Sequence, residues 1–162
     1  MEKSTGNPLK QKSDISVDVL EIGNIYIAVS DLQISEQFYD DLMMKVLDFK
    51  KTTSGIGGDP HIHYYNRHYS FTLRPARRLN PPHDPYAPGL HHFCFRVDAV
   101  EDVDEVADGL RDLGVEYDEP RFYPEYNPGY YAVFFSDPDG MRLEVTNFRK
   151  TRRDRFQNWP NE

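Results

Sequence analysis

Apolar and polar residues alternate along Asn24-Ile25-Tyr26-Ile27-Ala28-Val29. Ile25, Ile27 and Val29 therefore fall on one face of a half-buried strand, and Asn24, Tyr26 and Ala28 on the other. A four-residue rhythm follows at Ile34, Phe38, Leu42 and Val46, and it predicts a helix capped by Ser30 with Gln33 three residues on. Shorter runs predict strands over 49–52, 61–65 and 69–74, with Gly55, Gly57 and Gly58 breaking the chain between two of them. The same order then returns. His92-Phe93-Cys94-Phe95-Arg96-Val97 alternates with Phe93, Phe95 and Val97 on one face. Val103, Val106, Leu110 and Leu113 keep helical spacing up to Gly114, and strands are expected over 115–117, 130–135 and 141–146. Asn24 to Val29 overlays His92 to Val97, and Phe71-Thr72-Leu73 overlays Leu143-Glu144-Val145, which points to an internal duplication whose second copy is about four residues longer.

The repeat defines the organisation. One domain spans 19–148, with modules over 22–75 and 89–148 joined by a Pro- and Arg-rich linker over 76–88. A polar segment over 1–18 reads as a flexible arm, and 149–162 as a basic tail whose Trp159 is expected to pack on its own domain or on a partner. At 38% hydrophobic and 14% aromatic residues, the 162-residue chain can bury a core shared by two half-size modules. A net charge of -8 argues against nucleic acid as a partner and is compatible with a cationic ligand. The longest apolar runs are strand-length and the N-terminus shows no apolar signal region, so a cytoplasmic protein without membrane contact is expected. Cys94, the single cysteine, rules out an internal disulfide and fits a reducing compartment.

Three segments carry a family likeness: Ile25 to Tyr39, Gly89-Leu90-His91-His92-Phe93-Cys94-Phe95-Arg96-Val97, and Phe135-Ser136-Asp137-Pro138-Asp139-Gly140-Met141-Arg142-Leu143-Glu144. Together they resemble the glyoxalase, bleomycin-resistance and extradiol-dioxygenase group, the vicinal oxygen chelate superfamily. The Asp-Pro-Asp-Gly turn running into a glutamate strand is the most specific part. The resemblance implies an α+β fold of two tandem βαβββ modules, forming a curled mixed-sheet half-barrel with helices outside and a small-molecule site within the curl. It also implies a divalent metal (iron, manganese, nickel or zinc) and pairing into a homodimer in which modules can exchange.

The strand pattern places His92 and Glu144 on the face opposite the packed Phe and Val residues. An imidazole and a carboxylate there suit a divalent cation with open positions for vicinal oxygens. By the resemblance, His92 and Glu144 occupy two of the family's ligand positions, and Glu144 is the catalytic candidate. The first-module position, usually His or Gln, holds Asn24, a weaker ligand. The fourth, usually Glu in glyoxalases, holds Thr72. His61 and His63 share a strand face with Tyr65 and can compensate, although surface residues of this kind are common. Tyr26, His63, Tyr65, Thr72, Cys94 and Arg96 are the substrate-binding candidates, Cys94 being more simply read as a buried, unreactive thiol. Tyr130 and Tyr131 suit a cavity wall or the core, His91 is expected to point toward the helices, and His68 and His83 read as turn and linker residues. Three functions remain open on this evidence. One is a metal-dependent lyase, isomerase or ring-cleaving oxygenase for a small oxygen-rich molecule. The others are a metal-free binding protein of the bleomycin-resistance type and a non-catalytic regulatory domain.

Overall fold

The computed structural model describes residues 22–79 and 81–148. The expected arm, the basic tail and Trp159 lie outside the described residues. The elements run β1 (Asn24–Val29), α1 (Leu32–Tyr39) continuing as a π-helix over Asp40–Val46, β2 (Lys50–Ile56), β3 (Asp59–Tyr65), β4 (Ser70–Pro75), β5 (Phe93–Arg96), α2 (Val100–Asp112), β6 (Tyr117–Phe122), β7 (Tyr131–Ser136) and β8 (Arg142–Thr146). They build two four-stranded mixed sheets, ordered β1-β4-β3-β2 and β5-β8-β7-β6, and neither closes into a barrel. The duplication is visible in the register. Tyr26 lies opposite Thr72 across the parallel β1–β4 pair, and Cys94 opposite Glu144 across β5–β8. Thr72 and Glu144 are thus equivalent positions of the two copies.

One core joins the modules. Ile27, Val29, Ile62, Tyr64, Phe71 and Leu73 from the first sheet meet Phe95, Val133, Phe135, Leu143 and Val145 from the second, with Tyr39, Leu42, Met43, Val103, Val106 and Leu110 from the helices. Phe71 bridges the sheets, its ring 5.5 Å from Phe93 and 6.4 Å from Phe95. Each such aromatic or aliphatic side chain contributes about 1.5–3 kcal/mol when fully buried. Because this core takes one face of each sheet, alternation turns the other face outward. Tyr26, His61, His63 and Thr72 share the outer face of the first sheet, and Cys94 and Glu144 that of the second.

The first helix departs from the pattern that predicted it. Asp31, not Ser30, is the N-cap, its carboxylate accepting from the Gln33 and Ile34 N–H groups at 2.9 and 3.0 Å. The buried positions are Ser35, Tyr39, Leu42 and Met43, whereas Ile34 is 57% exposed. The π-helical continuation, seen in the Leu47 N–H bond to the Leu42 carbonyl at 3.0 Å, shifts the inward stripe relative to an ideal 3.6-residue period. The second helix buries Val103, Val106 and Leu110 as its spacing predicts, and comes so close to the first that a Cβ on Gly109 would lie 2.9 Å from Val46 Cγ2. The first predicted hairpin turns at Gly57 and Gly58, both at positive φ, while Gly55 belongs to β2.

Ser30 is engaged by the turn that carried the family likeness. The Asp139 carboxylate accepts from both the Ser30 N–H (2.8 Å) and the Ser30 hydroxyl, and the Asp139 carbonyl accepts from the His83 N–H (2.8 Å). Asp137, 6% exposed, accepts from the Tyr39 hydroxyl (2.9 Å) and from the Asp139 and Met141 N–H groups (2.9 and 2.8 Å). Burial raises the Asp137 carboxyl, and burial followed by the Asp137 charge raises the Tyr39 phenol that donates to it. The Asp-Pro-Asp-Gly turn is therefore a knot between the first module, the linker and the second module.

Candidate functional site

Glu144 stands on the outer face of the second sheet yet is only 2% exposed. A carboxylate so placed needs partners, since burying a charge without hydrogen bonds is costly. It has two. The Tyr130 hydroxyl donates to Oε1 at 2.5 Å, and His92 Nε2 lies 3.0 Å from Oε2. His92, one residue ahead of β5, keeps about a third of its side chain exposed, so the pair opens to solvent through the imidazole. Its other nitrogen, Nδ1, is 2.7 Å from Nδ1 of His91. His91 is not directed at the helices as its position suggested. It is exposed, with Tyr86 edge-on at 5.7 Å, because β5 begins only after it.

Cys94 borders this pair and is open to solvent. Crowding by surrounding protein, then the charge of Glu144 and a hydrogen bond to it, push the thiol up, and the Tyr130 hydroxyl is raised by its surroundings and by Glu144. Cys94 is thus reachable but protonated. Iodoacetamide at about pH 8 should label it at least about tenfold more slowly than a free thiol, because the thiolate is the reactive form. Mass spectrometry over time reads this rate, and labelling as fast as free cysteine would contradict the assigned environment. Tyr123, Ala132 and Phe134 pack beside Tyr130 on this face, with the Arg142 guanidinium 4.5 Å from the Phe134 ring centre. Arg96 lies on the same side, 4.0 Å from Asp98.

The first sheet carries a second polar cluster. His61 is 4% exposed, so it is not the strand-surface residue its loop-side position suggested; strand pairing and the Tyr26 ring, 6.0 Å away, cover it. Its Nδ1 lies 2.9 Å from the Asp59 carbonyl. His63 is held at both nitrogens, Nδ1 2.9 Å from Thr72 Oγ1 and Nε2 2.7 Å from Ser54 Oγ. Thr72, fully buried, is committed to this contact rather than presented to a ligand. Tyr26, 47% exposed, and Tyr65, 39% exposed, lie on this face without touching Glu144, and Asn24 is likewise a residue of the first sheet. The structure therefore brings His92, Glu144 and Cys94 together with Tyr130, and gathers Tyr26, His63 and Thr72 with His61 in a separate cluster. Tyr130, expected from the sequence only as a cavity-wall or core residue, is a direct hydrogen-bond partner of Glu144. Tyr131, Val133 and Phe135 are as apolar as Tyr130, Ala132 and Phe134, so alternation alone did not say which row of β7 faces Glu144.

Two mixed sheets built by repeated βαβββ units, with Glu144 on the strand after an Asp-Pro-Asp-Gly turn and His92 beside it at the start of the neighbouring strand, accompany a family-model match. The Glyoxalase/Bleomycin resistance protein/Dioxygenase superfamily model fits residues 21–145. The chain belongs to this superfamily. The Escherichia coli (strain K12) protein YaeR is 29% identical over 130 residues, covering 77% of this chain and 94% of its own length. A glyoxylase/bleomycin resistance protein/dioxygenase domain from Frankia sp. EAN1pec superposes with a TM-score of 0.69 at 24% identity, over 82% of this chain and all of that one. A mutant of the fosfomycin resistance protein FosX from Listeria monocytogenes, solved with Mn(II) and 1S,2S-dihydroxypropylphosphonic acid, gives 0.60 at 18% identity, over 84% of this chain and 98% of that one. The superfamily fold is thus shared with proteins that differ in named activity. Among the described residues, no three His, Cys, Asp or Glu side chains converge as metal ligands, and no helix is long and apolar enough to cross a membrane.

Proposed function

We propose that this superfamily member is a cytoplasmic enzyme acting on a small oxygen-rich molecule, with His92 and Glu144 as its working pair. The observation that carries this reading is a carboxylate almost wholly withdrawn from water, yet bonded on one oxygen by Tyr130 and faced on the other by a solvent-reachable histidine. Glu144 accepts a proton or a donor group from the substrate, His92 aligns the substrate oxygen at the mouth, and Tyr130 fixes the carboxylate rotamer. Tyr26, Tyr65 and Arg96 supply binding contacts. Both polar faces are turned out of the core, which favours a homodimer in which the first-module face of one copy covers the second-module face of the other.

The residues present do not complete the family's metal-ligand set. At the positions where the superfamily carries ligands, one chain presents one imidazole and one carboxylate. Asn24 and Thr72 stand at the other two, and Thr72 is already bonded to His63. That set does not by itself make a metal centre, so no step is assigned to a metal. A metal-free binding protein for a cationic ligand is the second reading. It is favoured by Asn24 and Thr72, by the net charge of -8, and by aromatic faces that already accept guanidinium groups at Tyr123 and Phe134.

A panel of catechols, α-oxo acids, hydroxy acids and quaternary amines, screened for turnover and for thermal shift with and without added divalent cations, separates these readings. Turnover or stabilisation by an oxygen-rich compound is the expected result. Stabilisation by amines alone, with no turnover, would transfer the assignment to the binding protein.

A further inference from the structure

Between the modules lies a cleft whose walls come from both. Ile22, Ile25, Phe49, Tyr69 and Phe93 line a cavity of about 400 Å³, in which the Phe49 and Tyr69 rings meet edge-on at 5.7 Å. Ile25 belongs to β1 and Phe93 to β5, and Ile22, 67% exposed, stands where the cavity meets solvent. Cys94 lines the cavity too. The Tyr69 phenol is pushed up to about 12 by burial and then by the nearby Cys94, so a first-module hydroxyl and a second-module thiol are neighbours there. A second cavity, of about 560 Å³, shares Leu47, Asn66 and His68 with the first, which makes the two continuous. Its chemistry is different. Lys50, at the start of β2, and Arg67, in the turn between β3 and β4, line it against one carboxylate, Asp48. In a chain of net charge -8 most described lysines and arginines are ion-paired, Lys51, Arg74 and Arg111 among them. Lys50 and Arg67 meet no acid at salt-bridge distance among the described residues. The turn that carries Arg67 is ordered, because Asn66 Oδ1 accepts from the His68 and Tyr69 N–H groups at 2.8 and 3.2 Å.

We propose that this cleft binds a small apolar acid, an aliphatic or aryl chain ending in a carboxylate, with the chain between Ile25, Phe49 and Phe93 and the carboxylate on Lys50 and Arg67. The apolar chain leaves water for apolar walls, and the carboxylate gains charge-assisted hydrogen bonds from two donors without being buried. Both halves of the ligand are needed. A hydrophilic anion finds no use for the Phe49 and Phe93 walls, and an uncharged chain leaves Lys50 and Arg67 as they are. Each cavity is within the size range of small-molecule sites, about 300–1,000 Å³. None of these groups belongs to the His92 and Glu144 pair, so the site stands whether or not that pair turns over a substrate.

Octanoate, titrated calorimetrically into the full chain, should bind at one molecule per chain. Acetate, which lacks the apolar chain, and octan-1-ol, which lacks the charge, should bind at least about tenfold more weakly. Octanoate should also slow iodoacetamide labelling of Cys94, whose side chain lines the cleft. Lys50→Gln and Arg67→Gln should each weaken octanoate by about tenfold and leave octan-1-ol unaffected. Ile22→Glu puts a carboxylate on the apolar wall at an exposed position and should abolish octanoate binding. Lys45→Gln, which removes a cation already paired with Asp41 outside the cleft, and His92→Gln should bind like the wild type. A thermal transition checks that each variant is folded. No octanoate binding, or binding that leaves Cys94 labelling unchanged, would overturn the proposal. Equal affinity for octan-1-ol, or indifference to both Lys50→Gln and Arg67→Gln, would reduce the site to an apolar crevice and overturn it as well. Loss confined to His92→Gln would place the acid on the working pair, which would refute this cleft and leave that pair standing.

Discussion

Asp137→Ala is expected to cost about 2–4 kcal/mol of folding stability, the largest effect of any single substitution outside the apolar core. Three donors converge on that carboxylate: the Tyr39 hydroxyl, buried with the rest of its side chain, and the N–H groups of Asp139 and Met141. Removing it strands all three, and a buried donor left without a partner costs about 1–3 kcal/mol. The same turn holds Ser30 and His83 through Asp139, so its loss also loosens the seam between the modules. Tyr39→Phe, which removes one donor and leaves the acceptor with its two backbone partners, should cost only about 1 kcal/mol. Chemical denaturation followed by fluorescence and by circular dichroism gives both numbers. A loss below about 0.5 kcal/mol for Asp137→Ala would mean that the turn is not the fastening described.

Glu144→Gln has the second large effect, on function rather than on folding. The amide keeps the size of the carboxylate and can still accept from Tyr130, but its NH₂ group then faces His92 Nε2 as a second donor, or the reverse if it flips. The pair loses its common acceptor while the sheet is undisturbed. Turnover or ligand affinity should fall by about 100-fold, equivalent to about 2.7 kcal/mol, with the melting temperature changed by only a few degrees. A Glu144→Gln protein that binds and turns over like the wild type would remove Glu144 from the working pair.

Much of this architecture was readable in the chain because the relevant signals are local. Asn24 to Val29 alternates with a period of two and forms a strand with those bounds. Val103, Val106 and Leu110 keep the helical period and are buried. Family likeness placed His92 near Glu144, and the parallel β5–β8 register supplies that proximity. What the sequence hid depends on contacts distant in the chain. Ser30 looks like an N-cap until Asp139, 109 residues away, claims both its N–H and its hydroxyl. A Ile34–Phe38–Leu42–Val46 stripe assumes uniform α-helical winding, which the π-helical segment breaks. His61 and His63 resemble surface residues because burial by Tyr26 and pairing to Thr72 arise only once the four strands are ordered β1-β4-β3-β2. Tyr130 and Tyr131 could not be told apart because both rows of β7 are apolar, and only the pairing of Phe134 with Glu144 shows which row faces the carboxylate.

The central claim is that the face around His92 and Glu144 is where the small molecule binds. Its most direct test is a heteronuclear NMR titration of the imidazole and phenol resonances with the best compound from the panel. The account predicts saturable shifts at His92 and Tyr130 that vanish in Glu144→Gln, with His83 in the linker unmoved. Shifts that bypass His92 and Tyr130, or that persist unchanged in the variant, would contradict it.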